Sequence, residues 1–74
     1  MAGHDRFSQY EVWAPAVDRW EMVASFREFN VAYAVASTHG GHVRLLQVTY
    51  EGGKPLQEDL LAELGLAPEL RPEA

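Results

Sequence analysis

The chain predicts a small α+β fold, with strands first and a helix embedded among them, and three observations carry that reading. Residues 9–14 and 20–26 alternate apolar and polar side chains, as strands of a half-covered sheet do. Residues 28–39 are rich in Ala and place Phe29 and Tyr33 four apart, the spacing that shares a helix face. Val43–Tyr50 is β-rich and apolar on both sides at Leu45 and Leu46, as a strand inside a covered or associating sheet would be. The expected order is β-β-α-β in an antiparallel or mixed sheet, with one packing helix and a short C-terminal helix. A four-stranded β-meander plus the same C-terminal helix is the alternative.

Each element has its local grounds. Residues 1–7 read as a flexible N-terminal arm, and residues 8–66 as the single domain. The first strand sets Tyr10, Val12 and Ala14 on one face and Glu11 and Trp13 on the other. Pro15 closes it, having no N–H for a ladder, and residues 16–19 connect to the second strand. That strand sets Trp20, Met22, Ala24 and Phe26 on one face and Glu21, Val23 and Ser25 on the other.

A helix over 28–39 has two candidate caps, Ser25 with Glu28 three residues on, and Asn30. Gly40 would terminate it. The rival reading of 31–36, strictly alternating Val-Ala-Tyr-Ala-Val-Ala, is one arm of a hairpin turning at Gly40-Gly41. A crossover from the second strand would lay the third parallel to it, on the far side of the first. Glu51–Pro55 is a turn. Leu56, Leu60, Leu61 and Leu64 then fall on one helical stripe, with Glu58 and Asp59 at the positive end and Gly65 at the stop. Residues 67–74 read as a disordered tail.

Composition bounds the function. Seventy-four residues make one domain with a thin stability margin, because a chain this short buries only about 60% of its unfolded surface. The chain has no Cys, which excludes disulfides and thiolate metal sites. No apolar run approaches the roughly 18 residues of a membrane span, and the first residues lack a signal-peptide core, so a cytoplasmic location is expected. The net charge is −5, and a single Lys and dispersed Arg residues argue against a nucleic-acid partner.

The polar candidates are few. His39-Gly40-Gly41-His42 brings two imidazoles within three residues, and His4 or a carboxylate would have to complete a metal site. Turn chemistry explains the same four residues without a metal, so no cofactor is expected. Glu11 and Glu21 would face each other across the hairpin, as paired acids for general acid–base work do. Ser25, Ser37 and Thr38 lie near His39 in sequence but lack an orienting acid and an oxyanion pocket. Gly53-Lys54 has neither the spacing nor the hydroxyl of a phosphate loop.

One helix covers one sheet face. Trp13 and Val23, with Leu45 or Leu46, would leave an apolar patch on the other, and Leu60 and Leu64 could extend it from the terminal helix. The expected function is therefore a small non-catalytic interaction or accessory protein, most simply a homodimer joined through the open apolar sheet face. The alternative is a metal- or small-molecule-binding enzyme using His39 and His42 with nearby carboxylates. Over residues 9–50, the pattern Tyr-x-Val-Trp and Trp-x-Met-Val-x-Ser-Phe before an Ala-rich helix is similar to the small accessory subunit of the phenylacetyl-CoA epoxygenase complex. It also resembles strand-first RNase H-like antitoxin modules. The first resemblance implies a noncatalytic assembly role, and neither carries a functional residue onto this chain.

Overall fold

A computed structural model describes residues 5–65. The elements run β1 (Arg6–Pro15), β2 (Trp20–Phe26), α1 (Phe29–Thr38), β3 (Val43–Glu51) and β4 (Lys54–Leu64). The strands form one sheet of order β2-β1-β3-β4 in which every neighbouring pair is antiparallel. β2 and β3 therefore run parallel with β1 between them, and α1 is the crossover, as the sequence leads one to expect. β1 begins at Arg6, so Phe7 is a strand residue and stacks on Tyr50 with ring centroids 5.2 Å apart. The remainder of the N-terminal arm before Asp5, and the tail 67–74, lie outside the described residues.

The helix matches its expected span and ends before Gly40, whose φ of 90° suits a residue without Cβ. Neither Ser25 nor Asn30 caps it: the N-cap is Glu28, and its side chain makes no capping bond. Ala32 and Ala36 are the residues α1 buries, because only methyl groups let the helix backbone lie close to the sheet. They pack against Val12, Val43 and Leu45, with Tyr10, Phe26, Ala62 and Leu64 around them. Phe29 and Tyr33 stack on each other at 5.7 Å beside this core, and Tyr10 meets the edge of Phe29.

Two features of the sheet differ from the expected pattern. β2 does not keep one face from end to end. Val12 pairs with Ala24 but Trp13 pairs with Met22, so a bulge at Val23 reverses the alternation. Ala24 and Phe26 therefore face the helix side with Val12 and Tyr10, while Met22 and Trp20 fall on the opposite face with Trp13 and Pro15.

The second correction is larger: residues 54–64 are strand β4, and the expected C-terminal helix over 56–64 is absent. Gly52 and Gly53 both have positive φ, 62° and 83°, the signature of a two-residue hairpin turn that sends the chain straight back along β3. Ladder bonds to β3 then outweigh the local helical preference. Two bulges, at Leu56 and Leu61, fit a sequence without period-2 alternation onto the strand. β4 is an edge, which is why Pro55 is tolerated in it. From Lys54 to Leu61 it is exposed along its whole length.

Candidate functional site

α1 rests on β1, β2 and β3 from one side only. On the other side the pairing lays out a grid. Met22, Trp13, Arg44 and Glu63 form one cross-strand row. Ser25, Glu11, Leu46 and Leu60 form the next, and Gln9, Val48 and Glu58 the one after. Among the described residues, no helix or strand covers this face.

Its centre is a carboxylate. Glu11 is 1% exposed, as buried as the apolar core. Such burial is tolerable only when the oxygens are satisfied, and here three side chains do so. Trp13 Nε1 donates to Oε1 at 2.8 Å, Gln9 Nε2 donates to Oε2 at 2.8 Å, and the Tyr50 hydroxyl donates to Oε2. Gln9, Glu11 and Trp13 are alternate residues of β1, so the strand period itself aims all three the same way. The hydrogen bond to Glu11 pushes the Tyr50 phenol up to about 12, helped by burial and by the carboxylate's charge.

Beside Glu11 a concavity of about 230 Å³ opens between Trp13, Trp20, Arg44, Leu46 and Glu58. The Arg44 guanidinium lies over the Trp20 ring, 4.1 Å from its centroid, and its Nε donates to Glu63 at 3.1 Å. His42 Nε2 donates to the same Glu63 oxygen at 2.6 Å and sets its ring edge-on to Trp20. The bond from His42, and then that from Arg44, hold the Glu63 carboxyl below the usual carboxylate range.

The arrangement holds few of the features acid–base or metal chemistry needs. Glu11 pairs with Ser25, and the bulge carries Glu21 opposite Ala14, so the two acids do not face each other across the hairpin. His42 is occupied by Glu63, whereas His39 stands at the helix C-cap. No group of three metal-ligating side chains occurs among the described residues. Of the six residues the sequence suggests for an interface, Trp13, Leu46 and Leu60 share the open face. Val23 sits in the β2 bulge, half exposed. Leu45 is fully buried under the helix, and Leu64 packs at the margin of that same core.

Sequence reasoning missed Trp20, Arg44 and Glu58 as members of one site, and Glu11 as its anchor. A legible signal existed for part of it: in Gln9-x-Glu11-x-Trp13 a donor flanks the acid on either side along one strand face. Nothing local announces the bulge that moves Trp20. No helix among the described residues is long and apolar enough to cross a membrane. Comparison with protein-family models, curated proteins and solved structures finds no match, and the resemblance of residues 9–50 therefore carries no argument about function.

Proposed function

We propose that this chain is a small non-catalytic interaction module that self-associates through the open face of its sheet. The observation that supports it is the uncovered second face, where Trp13, Trp20 and Leu46 line a concavity on the side away from the helix, and Leu60 and Met22 stand on the same face in neighbouring strands. Leu60, on one edge strand, is 55% exposed and Met22, on the other, 46% exposed, with the half-buried Trp13 and Leu46 between them, and an apolar span of this kind marks association surfaces. The buried acid on that face is a strut rather than a catalyst, since both of its oxygens are taken by side-chain donors. The face also carries both signs of charge, at Arg44 and at Glu58, so a second copy offers each its opposite.

Sedimentation across micromolar concentrations tests the reading. The native chain is expected to shift from monomer to dimer, and Leu60→Glu to remain monomeric while folded by circular dichroism. Val17→Glu, in the fully exposed β1–β2 turn, removes a comparable apolar side chain and is expected to leave the shift intact. A native chain that stays monomeric throughout overturns the proposal, as does a Leu60→Glu chain that still dimerises.

A further inference from the structure

The concavity on the open face has opposite charges toward its two ends and indole between them, and neither charge answers the other. We infer that it binds a small zwitterion whose ammonium and carboxylate lie at opposite ends of an aliphatic chain, the ammonium against Glu58 and the carboxylate against Arg44. Every lining residue belongs to one chain, so the site is complete in a monomer and needs no second copy.

Both charged groups have unused capacity. Arg44 is bound through Nε to Glu63, and its terminal nitrogens have no hydrogen-bond partner among the described residues. They form a fork that holds a carboxylate, and the Trp20 ring fixes the guanidinium beside it. Glu58 makes no hydrogen bond or ion pair with any described residue. Strand geometry keeps the two apart. Arg44 stands one row to one side of the Leu46–Leu60 row on β3, and Glu58 one row to the other side on β4. At about 3.4 Å per residue and about 4.8 Å between strands, their Cα atoms are roughly 14 Å apart, beyond the reach of a direct ion pair. The Glu58 carboxylate instead bears on Tyr50, at the far end of the face, and helps to raise its phenol. A ligand that satisfies both groups must therefore carry its charges apart, which an α-amino acid, with both on one carbon, does not.

The rest of the lining suits such a chain. Trp13, Trp20 and Leu46 give it apolar walls. Glu11 has both oxygens taken by side-chain donors, so it anchors no ligand but adds its negative charge. Glu11 and Glu58 outnumber Arg44 and repel a simple anion, while Arg44 opposes a simple cation; a zwitterion answers both. The volume of about 230 Å³ lies below that of cofactor and drug-sized sites and fits a slender ligand.

Trp13 and Trp20 are the chain's two tryptophans, so indole fluorescence and the indole N–H resonances report on this concavity alone. Below the concentration at which the chain associates, ε-aminocaproate should produce a saturable change in both. Hexylamine should bind about ten-fold more weakly and hexanoate more weakly still, because each lacks one charged contact. In Glu58→Gln, an exposed edge-strand change that leaves every described hydrogen bond in place, ε-aminocaproate should lose about ten-fold and hexanoate should lose nothing. A native chain that shows no saturable change overturns the inference. Hexylamine binding as tightly as ε-aminocaproate also overturns it, because Arg44 would then hold no carboxylate. So does a Glu58→Gln chain that binds ε-aminocaproate as the native chain does. Each outcome is read on the monomer and is distinct from whether the chain dimerises at higher concentration.

Discussion

The two faces of this sheet are equally dry at their centres, for opposite reasons. Under the helix, Val12, Val43 and Leu45 are fully buried among alanines, held by the hydrophobic effect and dispersion. On the open face Glu11 is just as inaccessible, held by three hydrogen bonds and shielded by the aromatic side chains that donate two of them. The first arrangement needs shape alone. The second needs specific partners at specific rows, and it leaves a rim of indole, guanidinium and leucine around the buried acid. In so small a domain one helix can seal only one face, and hydrogen bonding does for the other what a second layer would otherwise do.

The largest expected effect comes from adjacent leucines that point to opposite faces. Leu45→Ala removes a fully buried side chain beneath α1 and should cost about 4 kcal/mol, in the range of core truncations. Leu46→Ala acts on the half-buried open face and should cost only about 1–2 kcal/mol of monomer stability. Urea unfolding of both variants at a concentration where the chain is monomeric measures the contrast. Equal losses would mean that the open face is as tightly packed as the covered one, and the distinction between them would fail.

The same contrast explains what the amino-acid sequence reveals and what it hides. Covered-face positions on β1 follow from simple alternation, and α1 follows from its Ala spacing and the stop at Gly40. The turn within Glu51–Pro55 is also foreseeable, and the two-residue hairpin of the rival reading at Gly40-Gly41 does not form. β4 is not legible. Its leucines, acids and Gly65 satisfy every local rule for a helix, and only the ladder to β3, a long-range fact, makes them a strand. Trp20 is hidden for a related reason: one extra residue at Val23 moves it across the sheet, and bulges leave no firm mark in a single sequence. The open-face site is built from those two segments together with β1 and β3, so it could be seen only in part, at Trp13, Leu46 and Leu60.

Glu11→Ala should give the next largest loss, about 3 kcal/mol, because Gln9, Trp13 and Tyr50 each lose an acceptor while the site remains crowded. Glu11→Gln separates charge from geometry. It keeps one acceptor oxygen but turns an amide N–H₂ toward groups that are themselves donors, so it should recover only part of the loss. Thermal unfolding of the three proteins orders them. If Glu11→Ala proves as stable as the native chain, the open face is not held by its hydrogen bonds, and the two faces do not differ in kind.

The smallest expected effect tests one strut of that network through its proton. Tyr50 donates to Glu11, and its phenol is raised from 10.0 to about 12 chiefly by that bond. Below pH 10 both the folded and the unfolded chain keep the proton, and the bond's contribution is complete. Between about pH 10 and 12 the unfolded chain releases it while the folded chain retains it, so stability falls as pH rises through that window. Tyr50→Phe should cost about 1–2 kcal/mol at neutral pH, the worth of one hydrogen bond to a carboxylate, and the loss should shrink toward pH 12. The covered face has no counterpart to this behaviour: Leu45→Ala removes no titrating group, so its stability should run parallel to the native curve and its cost should stay constant across the same range. Urea midpoints of the three proteins, followed from neutral pH to about 12, therefore report separately on each face. A Tyr50→Phe cost that does not change with alkaline pH would show that the phenol proton is not what Glu11 holds.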